Sequence, residues 1–254
     1  MAGAGLFERA LRHDRAVVLT ILAVVTALAW IYIIAGAGMD MAAMPEMGMV
    51  AMPAVWTPLH ATLVLVMWAA MMVAMMLPSA APVILLFSTV KRKNGFAPHS
   101  ATVLFALGYI VVWLSFSLVA TIAQWGFERA ALLSPAMAST STGLAGLLLV
   151  AAGCYQLTPQ KDACLRACRS PLEFLSSQWR RGPLSMGLRH GLYCFGCCWA
   201  LMLTLFVGGI MNLLWIAGLA LFVLAEKIAP GGRWLGRIAG VSLVAWGSAI
   251  LLSS

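Results

Sequence analysis

The chain has 254 residues, of which 63% are hydrophobic and only 9% are charged, with a formal net charge of +8. A soluble domain carries about 25% charged residues, so this composition excludes an ordinary soluble protein and predicts an integral membrane protein. The positive charge is expected on cytoplasmic loops rather than on a nucleic-acid-binding surface, so no nucleic-acid partner is predicted. No alternating pattern typical of a membrane barrel occurs, and the predicted fold is therefore an all-α polytopic membrane bundle.

Seven apolar segments are candidate spans within a single membrane domain. They lie at about 16–35, 60–90, 100–124, 142–157, 187–208, 212–228 and 234–252. The first is about twenty residues long, which favours a retained anchor over a cleaved signal peptide. Pro78 and Pro82 predict that the second span is bent or broken.

The basic residues predict the orientation of the chain. With the N-terminus inside, the inner segments 1–15, 91–99, 158–189 and 227–237 hold 15 of the 16 Lys and Arg residues, and only Arg129 lies outside. This asymmetry follows the positive-inside rule and predicts an N-in, C-out protein of a cell membrane, inner or plasma, that crosses it several times. Residues 36–58 are then an outer loop, and residues 158–186 an inner segment.

The predicted outer loop is rich in methionine and has no Lys or Arg. Met39 and Met41 are its first candidate metal ligands. Thioether sulfur is a soft, neutral ligand that suits Cu(I) and persists where thiols would oxidise. The alternative interpretation is a flexible apolar loop that touches the membrane surface.

A methionine stripe continues in the second span. Met67, Met71 and Met75 recur every four residues on one helical face and cover about 12 Å of depth. Packing is the commoner reason for such a stripe, because methionine fills gaps well. The alternative is that Met71 and Met75 belong to a ligand path that begins below the outer loop and His60.

All six cysteines lie toward the predicted inner face. Cys164 and Cys168 are four residues apart, so a helix would place both thiols on one face, where they could share a metal. Neighbouring Lys and Arg are expected to lower the pKa of these thiols. Because the cytosol is reducing, metal-ligand or redox roles are favoured over structural disulfides.

The fifth span carries the densest group of candidate ligands. His190, Cys194, Cys197 and Cys198 lie within nine residues, and Met202 follows. On a helix, Cys194, Cys198 and Met202 form one sulfur stripe. This set predicts a metal site, with copper(I) favoured and zinc as the alternative. His190 is either a ligand or only a hydrogen-bonding group at the interface.

Two pairs of residues follow in the last two spans. Glu226 and Lys227 either pair with each other at the inner face, or Glu226 orients the cysteine cluster. Gly236 and Gly240 offer a close-packing helix face through which the protein could form an oligomer.

Three segments of the chain resemble a known family. They are residues 68–78, with four methionines before Pro78, residues 155–171, with Cys164 and Cys168, and residues 187–199, with the three later cysteines. Together they resemble the predicted metal-binding integral membrane proteins grouped as domain of unknown function 2182, over about residues 60–230. The resemblance implies a multi-span membrane protein with a metal site and no settled activity.

The first functional interpretation is a membrane protein that captures Cu(I) at outer thioethers and binds it at inner thiolates, for uptake, relay or delivery. A metallochaperone or another membrane protein is the expected partner. The second is a membrane thiol–disulfide oxidoreductase, because Cys194-x-x-Cys197 has a redox-type spacing. The third is an accessory or assembly subunit of a membrane metalloprotein complex. No hydrolase or phosphate-binding motif is present, so an enzyme is the less favoured class.

Overall fold

A computed structural model of the chain describes residues 2–37, 56–93, 98–133 and 137–253. Within these ranges no strand forms, and an isolated bridge joins Leu133 to Ser139. The described residues form ten helices: α1 (Ala2–Ile34), α2 (Pro58–Lys93), α3 (Pro98–Arg129), α4 (Thr142–Gln156), α5 (Pro159–Arg169), α6 (Pro171–Gln178), α7 (Pro183–Leu203), α8 (Leu205–Gly208), α9 (Leu213–Ile228) and α10 (Gly232–Leu252). The predicted all-α fold is confirmed.

Several of these helices could cross a membrane. In the described ranges, five stretches are long and apolar enough, and they lie in α1, α2, α3, α7 with α8, and α10. α4 and α5 form a sixth if their 63° bend belongs to one broken span. α9 has only 16 residues, whereas a typical span needs about 20. The fold is compatible with a multi-pass membrane protein, while the seven spans and the N-in, C-out orientation remain predictions.

Two helices differ from the predicted spans. α1 begins at Ala2, so the basic N-terminal segment continues directly into the apolar helix. α2 runs from Pro58 to Lys93 as one helix, so it is not broken at Pro78 and Pro82, while the bend that these prolines predict stays a prediction. α2 packs against α1 and α3, and this packing supports the helix where each proline removes a backbone hydrogen bond.

α2 is the central helix of the core. Its methionines are at most 2% exposed, namely Met67, Met71, Met72, Met75 and Met76. Large apolar side chains of the surrounding helices are exposed instead, as Leu28 of α1 and Val119 of α3 illustrate. The methionine stripe therefore faces the protein interior, while the outer surface is apolar as lipid contact requires.

Glycines let α10 approach its neighbours in the same chain. A Cβ added to Gly240 would lie 3.0 Å from the backbone oxygen of Gly153 in α4. Gly236 lies against the side chains of Lys161 and Glu226. The prediction that the Gly236 and Gly240 face joins a second subunit is therefore wrong, because this chain's own α4, α5 and α9 fill that face.

Candidate metal centre

α7 places three thiols in the protein interior. The helix starts at Pro183, a residue suited to the first helical position because its missing N–H would have no partner there. Cys194, Cys197 and Cys198 are each 1% exposed. Their spacing of three and four residues puts them on one side of α7, and Cys194, Cys198 and Met202 of the predicted sulfur stripe are all buried in this helix.

α5 brings the other cysteine pair to the same place. The thiol of Cys168 interacts with that of Cys197. Cys164 packs over Gly196 of α7, where an added Cβ would lie 2.6 Å from its sulfur. Two groups that are separate in the sequence thus form one group, hereafter the thiol cluster: Cys164, Cys168, Cys194, Cys197 and Cys198.

The basic residues of α5 do not activate Cys164. α5 is a short charged helix, in contrast to the long apolar helices around it. Burial, together with the nearby Cys197, raises the pKa of the Cys164 thiol above its ordinary value. The expectation that Lys and Arg lower the pKa of this thiol is therefore wrong, because desolvation outweighs them.

The sulfur of Cys194 contacts two polar side chains of other helices. The Lys227 ammonium lies 2.9 Å from its sulfur, and the Tyr109 hydroxyl lies 3.0 Å from it. The same ammonium donates to the Ser79 hydroxyl at 2.8 Å. A buried ammonium needs a negative partner, and the Cys194 sulfur is placed to supply one. The sequence interpretation missed Tyr109 and Ser79, which lie on other helices and carry no spacing signal.

Met76 connects the methionines of α2 to the thiol cluster. Its sulfur lies 3.9 Å from that of Cys198, and its backbone oxygen accepts a hydrogen bond from Tyr109 at 2.9 Å. The predicted ligands Met71 and Met75 are buried in the same helix, and Met202 is buried in α7. Met76 was missed as a candidate ligand, although its spacing of four residues from Met72 is the signal that could have identified it.

His190 lies among aromatic rings beside the cluster. Its ring centroid is 5.6 Å from that of Tyr109 and 5.2 Å from that of Phe174. Its Nδ1 atom is buried without a hydrogen-bond partner, which is costly for a polar atom. His190 shares Tyr109 with Cys194, so the histidine borders the cluster.

Glu226 and Lys227 connect different parts of the centre. Glu226 forms a buried ion pair with Lys161 of α5, and its backbone oxygen accepts a hydrogen bond from Arg169 at 2.6 Å. Lys227 points instead to Cys194. The interpretation that the two adjacent residues pair with each other is therefore wrong. Glu226 holds α5, and with it two thiols, against α9.

Met39 and Met41 lie outside the described residues, as does the rest of the segment 38–55. In the described part, no group of three or more His, Cys, Asp and Glu side chains is arranged to hold one metal ion. The thiols of Cys197 and Cys198 donate to the backbone oxygen of Cys194, at 3.1 and 3.0 Å. Joint coordination of a metal therefore requires these two side chains to turn away from that oxygen.

Mild oxidation is expected to link Cys168 to Cys197, because these thiols interact across the contact between α5 and α7. Diamide treatment of the purified full-length protein, followed by alkylation and peptide mass spectrometry, measures this pairing. Cys154 is exposed on α4 and serves as the control that is alkylated without pairing. A predominant disulfide between Cys194 and Cys197, with Cys168 alkylated, would contradict the prediction.

The fold and this centre define a class of protein, namely membrane-type helical proteins with a buried group of cysteine and methionine side chains. Residues 65–250 match the family PpoB2, described as copper chaperone, and the chain belongs to this family. The match includes the methionines of α2 and all the cysteines of the thiol cluster. No curated protein and no solved structure matches the chain. Membership of this family gives the protein a copper-related role.

Proposed function

We propose that this protein handles Cu(I) as its cargo, taking it up at outer thioethers and binding it at the thiol cluster for delivery. The contact between Met76 and Cys198 carries this proposal, because it brings a buried thioether of α2 against a thiol of the cluster. The copper chaperone family supports the metal. The resemblance to domain of unknown function 2182 agrees with a metal site in a membrane protein.

The methionines of α2 are suited to moving a soft cation through an apolar interior. Met67 and Met76 are nine residues apart, so the buried column extends about 13 Å along the helix. Thioethers hold Cu(I) without adding charge, and thiolates hold it more strongly. Transfer from the column to the thiol cluster is therefore downhill, and the bound thiols release protons when the metal binds.

The ligand set favours copper over zinc. Cysteine thiolates bind both metals, but the thioether of Met76 beside Cys198 suits Cu(I) better than Zn²⁺. Binding requires Cys197 and Cys198 to release the backbone oxygen of Cys194. Delivery then proceeds from the inner face to a metallochaperone or a membrane protein partner.

Metal analysis of the purified full-length protein tests the proposal. After anaerobic Cu(I) loading and removal of free metal, we expect on the order of one tightly bound equivalent. The double variant Cys197→Ser with Cys198→Ser should lose most of it, because two ligands are replaced by hard hydroxyls. Cys154→Ser, which changes an exposed thiol outside the cluster, is the matched control. Less than about half an equivalent in the unmodified protein, or no loss in the double variant, contradicts the proposal.

A thiol–disulfide oxidoreductase is the second candidate function. The interaction between Cys168 and Cys197 favours it, because it provides a dithiol pair in which a disulfide can form. Thiol trapping in intact cells separates the two functions. A mixed reduced and oxidised population at these two residues supports redox chemistry, whereas uniformly reduced thiols support metal binding.

A further inference from the structure

A second group of polar and sulfur side chains lies far from the thiol cluster, on α2 and just before it, on α3 and in the loop after α3. From Tyr109, which contacts Cys194, α3 continues for nineteen residues to Glu128, a rise of about 29 Å. This group is hereafter the distal cluster, and its members are joined by hydrogen bonds: Trp56, Trp68, Gln124, Glu128 and Met137.

Gln124 is the centre of the distal cluster and is fully buried. Its side-chain oxygen accepts a hydrogen bond from the indole of Trp68 at 2.8 Å. Its side-chain nitrogen donates to the carboxylate of Glu128 at 2.8 Å and lies 3.5 Å from the sulfur of Met137. A carboxylate and a thioether thus converge on one position, which the positive end of an amide fills.

The carboxylate of Glu128 has neutral donors but no counter-cation among the described residues. Its second oxygen accepts a hydrogen bond from the indole of Trp56 at 2.7 Å. The ion pairs seen in those residues involve other carboxylates, and the adjacent Arg129 lies over the ring of Trp125. Glu128 also occupies the last turn of α3, where the helix dipole adds negative potential. This position is therefore expected to attract a cation.

Met137 is held in an unusual backbone conformation. Its φ of 56° lies in the left-handed region, which is uncommon for residues other than glycine. Its backbone oxygen accepts a hydrogen bond from the backbone of Ile210 at 3.3 Å. The turn after α8 therefore helps to hold Met137 in this conformation. Strain of this kind persists where the surrounding structure enforces it, and it is frequent at ligand sites.

We propose that Glu128 and Met137 form an entrance site for a soft monovalent cation. The arriving cation displaces the side-chain amide of Gln124 from these two residues. One carboxylate offsets one positive charge, and the thioether supplies the soft ligand. Trp68 precedes Met71 and Met72 by three and four residues, so a helix places it beside them. A cation that leaves the site thus reaches the methionine column. The identity of the cargo as Cu(I) rests on the proposed function.

Ag(I), a soft monovalent cation that does not change oxidation state here, is the probe for the full-length protein. Equilibrium dialysis should resolve a tight class of sites, removed by Cys197→Ser with Cys198→Ser, and a weak class. Glu128→Gln and Met137→Leu are each expected to weaken one equivalent of the weak class at least about fivefold, which corresponds to about 1 kcal/mol. Both should leave the tight class intact, which also shows that the variants fold.

Two controls and one further variant sharpen the test. Glu173→Gln, on α6, and Met211→Leu, in the turn after α8, change the same residue types outside the distal cluster and should leave both classes unchanged. Gln124→Ala should tighten the weak class, because it removes the competing amide, whereas a merely structural role predicts no gain.

The outcomes separate the two proposals. If Glu128→Gln and Met137→Leu leave the weak class unchanged, or if Gln124→Ala fails to tighten it, the entrance site is overturned while the thiol site stands. If the cysteine double variant keeps the tight class, the proposed function is overturned instead.

Discussion

Glu226→Ala is expected to destabilise the protein by about 3–5 kcal/mol, because it leaves the buried ammonium of Lys161 without its partner. Both side chains are 1% exposed, and Gly236 packs directly against them, so water cannot easily replace the lost carboxylate. The midpoint of thermal unfolding of the purified protein measures the effect. Cross-linking of Cys168 to Cys197 should fall as well, because α5 keeps only the hydrogen bonds of Arg169 to backbone oxygens as its polar attachment to this region.

Two variants show whether the effect belongs to the buried charge. Asp162→Asn removes a partly exposed carboxylate that pairs with Arg233 at 3.1 Å, and it should cost less than about 1 kcal/mol. Lys161→Met combined with Glu226→Leu removes both charges and should recover most of the stability. A loss in Glu226→Ala no larger than that in Asp162→Asn would show that the pair contributes little.

Composition and helical spacing were sufficient to predict the fold class and the buried cysteine face. A chain with so few charges has no other way to satisfy its backbone in lipid than helices or a closed barrel. The spacing of Cys194 and Cys198 identifies a common helical face, and the structure buries both residues. These predictions succeed because they depend on local periodicity, which the sequence contains directly.

The residues that contact the cysteine face of α7 could not be predicted without the tertiary structure. Nothing in the spacing of Cys164 and Cys168 indicates that Cys168 meets Cys197, since that contact depends on how α5 turns back against α7. In the sequence, Lys161 is one of several basic residues of the predicted inner segment. In the structure, it is buried in an ion pair with Glu226. A charged side chain becomes buried only where a distant residue compensates it, and such pairing leaves no periodic signal.

Gly236 and Gly240 show the same limit of prediction from sequence, because the spacing does not identify the packing partner. The spacing of Gly236 and Gly240 correctly indicates close helix packing, but it does not identify the partner. α4 of the same chain presents Gly153 to this face, so the interface is internal. A small-residue face shows that another backbone comes close, whereas the choice between the same chain and a second subunit depends on the order of the helices.

In the proposed function, the distal cluster and the thiol cluster together would give cation movement a direction that neither provides alone. Glu128 and Met137 would offer a weak site in the last turn of α3, and the thiol cluster, which Tyr109 of the same helix contacts, would offer the stronger ligands. The buried methionines of α2 lie between them and add no charge. A cation that moves toward stronger sulfur ligands at each step needs no input of energy, so the proposed delivery would depend on a partner that competes for the thiolates.

Gly187→Ala is expected to disrupt the crossing of α3 and α7 and to lower both stability and copper retention. A Cβ added there would overlap the backbone of Phe105 in α3. From the other side, a Cβ added to Gly108 would lie 2.8 Å from the backbone nitrogen of Leu188. Neither backbone can yield as a side chain does, so we expect a loss of about 1–3 kcal/mol or more.

Gly187→Ala is expected to affect the thiol cluster because the same crossing of α3 and α7 places the Tyr109 hydroxyl 3.0 Å from the Cys194 sulfur. Gly126→Ala in α3 and Gly218→Ala in α9 are matched controls, since a Cβ added at either position meets no atom within 4 Å. Both should be neutral or stabilising by about 0.4–1 kcal/mol, because alanine restricts the unfolded chain. Thermal unfolding and the copper retained after anaerobic loading measure the two effects. If Gly187→Ala behaves like these controls, close contact at the crossing does not determine the position of the thiols.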